Sequence, residues 1–328
     1  MSLKIGPVTA ETPVLLAPMA GITDLPFRKL VSEFGARLVV SEMVASQEMV
    51  QSKPGVREKA ELGFGIENTS VQIAGREATW MRRAARIIED SGASIIDINM
   101  GCPAKKVTNG LSGSALLRDL DHALTLIEAV VDEVSLPVTL KTRLGWDDNS
   151  LNAGSLAVRA QDAGIQMLTI HGRTRCQFYK GHADWAAIAP IKEAVSIPVI
   201  ANGDIVDAES ARKALAFSAA DGVMVGRGAE GRPWQLALIA HELYGTPRPT
   251  IPTGADFADM VCRHYESMMA FYGLTLGNRV ARKHLGWYMD EIRAPIALRK
   301  CVLTERDSNR VLEMLQSEFG TDYSEVAA

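Results

Sequence analysis

The chemistry of this 328-residue chain is concentrated in short polar groupings, each placed where an apolar run stops. In Asp97-Ile98-Asn99-Met100-Gly101-Cys102-Pro103 a cysteine stands between a glycine that permits a tight turn and a proline that stiffens it. Those flanks put Cys102 in a loop, where its thiol can meet a ligand. Lys141-Thr142-Arg143 follows the apolar Val138-Thr139-Leu140. An ammonium at that depth calls for an anion or an electron-rich acceptor, because an uncompensated buried charge is costly. His171-Gly172-Arg173-Thr174-Arg175 closes another apolar run in the same way. Alone, His171 reads as a core histidine; beside Lys141 and Cys102 it reads as a cofactor contact. Ala201-Asn202-Gly203-Asp204 and Gly226-Arg227-Gly228 are glycine-rich loops of the kind whose backbone N–H groups hold a phosphate, and Arg227 adds charge.

Eight apolar, β-rich runs must position these groups: Val14 to Ala17, Leu38 to Ser41, Ser70 to Ile73, Ile95 to Ile98, Pro137 to Leu140, Met167 to Ile170, Pro198 to Ala201 and Gly222 to Val225. Their hydrophobicity is continuous, as in strands covered on both sides, and most intervals carry helical periodicity, as in Trp80-Met81-Ala84-Ala85-Ile88. Strand followed by helix eight times predicts an α/β fold, a parallel (β/α)8 TIM barrel. An open doubly wound sheet is the runner-up, disfavoured because no G-x-G-x-x-G follows the first run. In a barrel the C-terminal strand ends share one mouth. That mouth gathers Pro18 with Met19, Glu42, Gln72, Asn99 with Cys102, Lys141 with Arg143, His171, Asn202 with Gly203, and Gly226 with Arg227.

Pro247, Pro249 and Pro252 end the strand pattern and mark a linker, predicting a barrel over 1–246 and a helical domain over 247–328. Phe257, Met260, Val261, His264, Met268 and Phe271 recur at helical spacing; Asp307 is placed to cap a last helix whose Val311, Leu312, Leu315 and Phe319 form one face. Between Arg279 and Lys300 six Lys/Arg stand against two acids, in a chain whose net charge is −4. That segment, with Lys105, Lys106, Arg173, Arg175, Lys180 and Arg232 at the mouth, offers two basic surfaces to one nucleic acid. The acidic total argues against a protein that coats nucleic acid indiscriminately. No apolar stretch approaches the ~18 residues of a membrane span. The four cysteines hold no C-x-x-C pair, so neither a metal site nor a disulfide framework is expected and a reducing cytoplasm is the default.

The motifs Ala17-Pro18-Met19-Ala20-Gly21, Val71-Gln72-Ile73-Ala74-Gly75, the Asp97 to Pro103 segment, Lys141-Thr142-Arg143, His171 to Arg175, Ile200 to Asp204 and Val225-Gly226-Arg227 together resemble bacterial tRNA-dihydrouridine synthases, most nearly the type-B subgroup. The resemblance continues through Gly231-Arg232-Pro233-Trp234 and Arg279-Val280-Ala281-Arg282-Lys283-His284. It implies an FMN-containing barrel that takes hydride from NADPH and reduces the C5=C6 bond of uridine in the tRNA D-loop. By the same likeness Pro18, Met19, Ala20, Gln72, Lys141, His171, Asn202, Gly203, Asp204, Gly226 and Arg227 line the FMN, and Cys102 is the acid. Asn99, Arg143, Arg173, Arg175, Arg279, Arg282 and Lys283 are then expected to meet the substrate, in a monomer acting on tRNA. Residues 108–113 depart from the pattern, since many relatives carry basic residues there. Two other readings stay open: a flavin reductase of a free pyrimidine or small enone, and a flavin-free RNA-binding barrel.

Overall fold

The computed structural model describes residues 2–52, 61–62, 69–321 and 323. Two short antiparallel strands, β1 (Leu3–Ile5) and β2 (Val8–Ala10), come first, and no periodicity in the sequence announces them. The parallel strands follow: β3 (Val14–Leu16), β4 (Val39–Val40), β5 (Val44–Ala45), β6 (Thr69–Ala74), β7 (Ile95–Met100), β8 (Val138–Arg143), β9 (Leu168–His171), β10 (Val199–Asn202) and β11 (Gly222–Val225). Pairing runs from β3 through β11, β10, β9, β8, β7 and β6 to β4, which returns to β3 and closes the barrel. Nine segments make eight staves because β4 and β5 lie end to end along β6, with Val40 opposite Ser70 and Val44 opposite Ile73. Leu3, Ile5 and Ala10 of the hairpin pack with Leu15, Val40, Met167, Ile200 and Met224, plugging the N-terminal end of the barrel.

The strands are not uniformly apolar. In β7 the outward residues Ile96, Ile98 and Met100 join the core beneath the helices, while the alternate set contains Asp97 and Asn99, both buried. Period-two alternation therefore operates within runs that read as continuous. Helices α1 (Leu25–Glu33), α3 (Ala78–Asp90), α5 (Leu120–Val131), α6 (Ala153–Asp162), α7 (Ala189–Glu193), α8 (Ala208–Ser218) and α9 (Gln235–Tyr244) surround the barrel, with short α2 (Ser46–Val50) and α4 (Lys105–Thr108) in the loops at the mouth. In α3 it is Met81, Ala84, Ala85 and Ile88 that are buried, one turn apart as the spacing predicts.

A nonhelical stretch at 246–253 leads into α10 (Gly254–Tyr272), α11 (Leu274–Glu291), α12 (Ile296–Thr304) and α13 (Ser308–Glu318). Asp307 accepts from Asn309 N at 2.9 Å at the start of α13. These helices bury a second apolar cluster, including Phe257, Met260, Val261, Leu285, Val311 and Leu315, which also takes in Leu30 of α1 and Trp234 ahead of α9. The helical part is thus seated on the barrel flank beside the first stave. Residues 322 and 324–328 of the region expected to be helical lie outside the described residues. No described helix is long and apolar enough to cross a membrane.

Candidate active site

Strand register sets the site. Asn99 stands opposite Lys141, and two residues further along Arg143 stands opposite His171 and His171 opposite Asn202, so two adjacent rows of the register bring the polar ends of β7 to β10 to the mouth. Beneath them lies a layer in which Gln72 Nε2 donates to Asp97 Oδ2 at 2.6 Å, Thr139 Oγ1 to Asp97 Oδ1 at 2.6 Å, and Asn99 Nδ2 to Gln72 Oε1 at 2.7 Å. Burial raises the Asp97 pKa, against the opposing hydrogen bonds from Gln72 and Thr139.

Asn99 carries this order upward. Its Oδ1 accepts from Gly101 N at 3.1 Å and Cys102 N at 2.9 Å, fixing the cysteine loop and leaving one N–H of the amide uncommitted. Ser114 Oγ donates to Cys102 O at 2.8 Å from the other side. Gly113, at φ +59°, packs so tightly here that a Cβ would lie 2.9 Å from that oxygen. Cys102 is a free, half-buried thiol. Arg143 is 2% exposed and braces both flanks of the site: Nε donates to Gly101 O at 2.8 Å, and Nη1 to Thr174 O and Phe178 O.

A cavity of about 810 Å³ opens above this tier. Pro18, Met19, Ala20, Gln72, Asn99, Cys102, Lys141, Arg143, His171, Asn202, Gly203, Asp204, Gly226 and Arg227 all line it. Lys141 Nζ donates to Asn202 Oδ1 at 2.9 Å, and Asn202 Nδ2 in turn donates to Met224 O at 2.8 Å. Burial, helped by the charge of Arg143 and opposed by Asp97, brings the Lys141 pKa down to about 8. His171 is held well below its ordinary pKa by burial and by the surrounding cations, Lys141 first. It is therefore neutral, and because Arg173 Nη1 can only donate to its Nε2, 3.3 Å away, the ring proton resides on Nδ1.

On the other wall Asp204, at φ +55°, accepts from Arg173 Nη2 at 2.5 Å, from Ala183 N at 2.8 Å and from Arg227 Nη2 at 3.1 Å. Partial burial works to raise its pKa, but Arg173, the Ala183 N–H and Arg227 together keep it below the usual value. Gly203, at φ +111°, has room for no side chain: a Cβ would lie 2.8 Å from that of Ala183 and 3.1 Å from the His171 ring. The donor set suits a flat, anionic cofactor such as a flavin. One buried ammonium and a neutral imidazole lie toward one side, with glycine loops and a fixed arginine toward the other.

Several expectations are corrected. Arg173 is not presented to a substrate: it is 1% exposed, and Lys180 O, Gly181 O, Asp204 and His171 occupy its guanidinium. Asp204 lines the cavity with both oxygens already committed, so it positions Arg227. Of the tail cations, Arg279 and Lys283 are exposed, and Lys283 reaches the mouth, where a Cβ on Gly21 would lie 3.2 Å from its Nζ. Arg282 is half-buried and donates to Glu305 O at 3.3 Å, while Arg299 and Arg232 are paired with Asp290 and Glu291. Arg175 stands outside the cavity lining. Tyr179 and Phe178, 48% and 43% exposed, also line the cavity, beyond the residues the strand ends predict. Tyr179 lies under both Arg143 and Arg227, with centroid distances of 5.5 and 5.4 Å. No spacing rule in the sequence signals it.

The family model described as Dihydrouridine synthase (Dus) matches residues 15–322. A protein of Rhodobacter capsulatus named probable tRNA-dihydrouridine synthase is 60% identical over 321 residues, 97% of this chain and 98% of its own length. The tRNA-dihydrouridine synthase B of Vibrio cholerae is 45% identical over 320 residues, covering 97% and 98% of the two chains. Among solved structures, morphinone reductase superposes with a TM-score of 0.52 at 14% identity, over 76% of this chain and 91% of its own, a likeness that bears on the fold alone.

Proposed function

The chain belongs to the dihydrouridine synthase family, and from that premise we propose how its cavity acts: it binds FMN, is reduced by NADPH, and saturates the C5=C6 bond of a D-loop uridine in the cytoplasm. It is an oxidoreductase that acts on uridine in tRNA. The observation that carries the reading is the convergence of Cys102 and Lys141, from adjacent staves, on one cavity.

When bound, a reduced flavin supplies the hydride for C6. Addition there builds negative charge toward C5 and O4 of the uracil, so a proton must reach C5. The Cys102 thiol is the acid, and a donor held in reach contributes ~10²–10⁴-fold. Asn99, anchored by Gln72, fixes the loop that carries the thiol and offers its remaining N–H to a uracil carbonyl. Lys141, oriented by Asn202, would hold positive charge beside a bound flavin and stabilise its reduced, anionic form. Gly203, Gly226 and Arg227 would hold the phosphate of a bound cofactor, and Tyr179 with Phe178 walls off the remaining space. A stacked base cannot enter such a cavity, so the uridine is extruded, at ~a few kcal/mol, less in a loop. Lys283 beside the mouth, with the exposed Arg279 one turn before it on α11, favours RNA over a free pyrimidine, and one chain supplies every group named, so a monomer suffices.

Cys102→Ala is expected to retain its flavin and oxidise NADPH while forming dihydrouridine at least ~10²-fold more slowly. Unchanged product formation, measured by mass analysis of tRNA digests, removes Cys102 from the role of acid. Reduction of free uridine as fast as tRNA, insensitive to salt, replaces the RNA reading with a small-molecule reductase.

A further inference from the structure

A second cationic feature lies on the opposite rim of the mouth. Arg118 ends the 3-10 helix Gly113–Arg118, which follows β7; Trp146 lies in the loop after β8, and Arg175 in the loop after β9. The two guanidinium carbons sit 5.0 and 4.8 Å from the centroid of the same Trp146 ring. Hydrogen bonds stitch these loops together: Arg175 N donates to Gly145 O and Cys176 N to Trp146 O, both at 2.9 Å, and the Asn152 side chain donates through Nδ2 to Leu117 O at 2.7 Å. Both arginines are thus ordered by an aromatic ring, and neither is neutralised. Among the described residues neither guanidinium makes a hydrogen bond or ion pair, although Asp119, Asp147 and Asp148 are close in sequence. Arg175 Nε is a buried donor with no partner.

We propose that Arg118, Trp146 and Arg175 form a clamp for a backbone phosphate of the RNA strand, a reading that rests on the tRNA substrate argued above. Two like charges on one ring repel unless an anion lies between or beside them, and a guanidinium fork matches phosphate oxygens. Stacking fixes both forks in advance, which lowers the ordering cost of binding. The position suits the task. Around the closed barrel, β8 is four staves from β3 in either direction, and the helical region is seated on α1, directly after β3. The clamp and the exposed Arg279 and Lys283 therefore straddle the cavity, gripping the strand on both sides of the nucleotide that enters it.

The test is equilibrium binding of unmodified tRNA to the flavin-loaded enzyme over a range of salt. Arg118→Ala with Arg175→Ala should weaken binding at least tenfold and flatten the slope of log affinity against log salt by about 0.7–0.9 for each phosphate that is no longer neutralised. Trp146→Leu keeps both charges but frees them, so binding should weaken severalfold with little change in slope. Wild-type affinity and slope in the double variant would overturn the clamp. So would unchanged tRNA binding accompanied by a raised KM for NADPH in flavin reduction without RNA, which would assign the arginines to the phosphates of the reductant. A wild-type enzyme that does not reduce tRNA at all overturns the functional reading and the clamp with it, and that arm is read separately from the variants.

Discussion

Two of the buried polar groupings among the described residues are built in opposite ways. In the barrel, Gln72, Asp97, Asn99 and Thr139 leave no buried polar atom without a partner. At the seam between α1 and the helical region, Asp24, His264, His284 and Tyr288 are as deeply buried, yet both His284 nitrogens and His264 Nε2 find no partner among the described residues. The His264 and His284 rings meet at 4.8 Å, and His264 Nδ1 pairs with Tyr288 OH at 2.8 Å. A closed network rigidifies what it touches, and the barrel layer ends on the cysteine loop. The seam ends on nothing that reacts. Polarity in the barrel is preorganisation; polarity at the seam is a tolerated cost in stability.

The strongest way to break that contrast is Asn99→Ala. It removes the acceptor for Gly101 N and Cys102 N while leaving the thiol in place, and a misplacement of about 1 Å costs ~10²-fold. Product formation in a single turnover should fall by about that factor, with the Cys102 residue still present. A rate within about threefold of wild type would show that the layer does not position the thiol. Next is the ammonium above the layer. With its pKa brought down to about 8, Lys141 is charged below that pH and neutral above it, so uridine reduction should decline about tenfold per unit on the alkaline side. Lys141→Arg should abolish that limb; a limb that persists belongs to another group.

Much of the barrel is legible in the sequence because an outward apolar row repeats in each stave, and continuous runs are what its burial under helices demands. The expected runs end two residues short in β7, three short in β8 and one short in β10, because Asn99, Lys141, Arg143 and Asn202 point toward the mouth while their backbones still pair. The hairpin of β1 and β2 escapes because three residues per strand carry too little alternation to register. The cavity lining is legible because the strand-end motifs are local. What is not legible depends on loops meeting across the mouth: Tyr179 beneath two arginines, Arg173 consumed by Asp204, and Trp146 between loops from three staves. The seam histidines lie twenty residues apart on α10 and α11, and only the packing of those helices brings their rings together.

Stability offers a finer comparison. Gln72→Leu strands Asp97 and Asn99 in the barrel, and each buried group left unpaired costs ~1–3 kcal/mol. His284→Leu removes polar atoms that had no partner, so its effect should be about 1 kcal/mol or less in either direction. Urea unfolding of the flavin-loaded protein measures both. Equal losses for the two substitutions would erase the distinction between the groupings.

The smallest effect isolates the seam by its protons. Burial holds His264 down to about 3 and His284 well below 6.5, so each stays neutral when folded and takes up a proton on unfolding below pH 6.5. The stability each contributes is complete above pH 6.5 and lost as pH falls. Asp24 works in the other sense: burial, outweighing the Phe27 N–H and the Tyr272 hydroxyl, raises it from 3.8 to about 6, so near pH 5 the folded chain holds a proton there that the unfolded chain does not. Two protons gained by the unfolded histidines against one kept by folded Asp24 leave the seam with a net loss of about 1.4 kcal/mol per unit as pH falls through 5. His284→Leu should make the measured slope shallower than wild type by about that amount. Asp24→Asn, which can still cap α1, should make it steeper by as much. If neither substitution moves the slope between pH 5.5 and 4.5, the seam does not titrate, and its unpaired atoms are not the stability cost that the contrast requires.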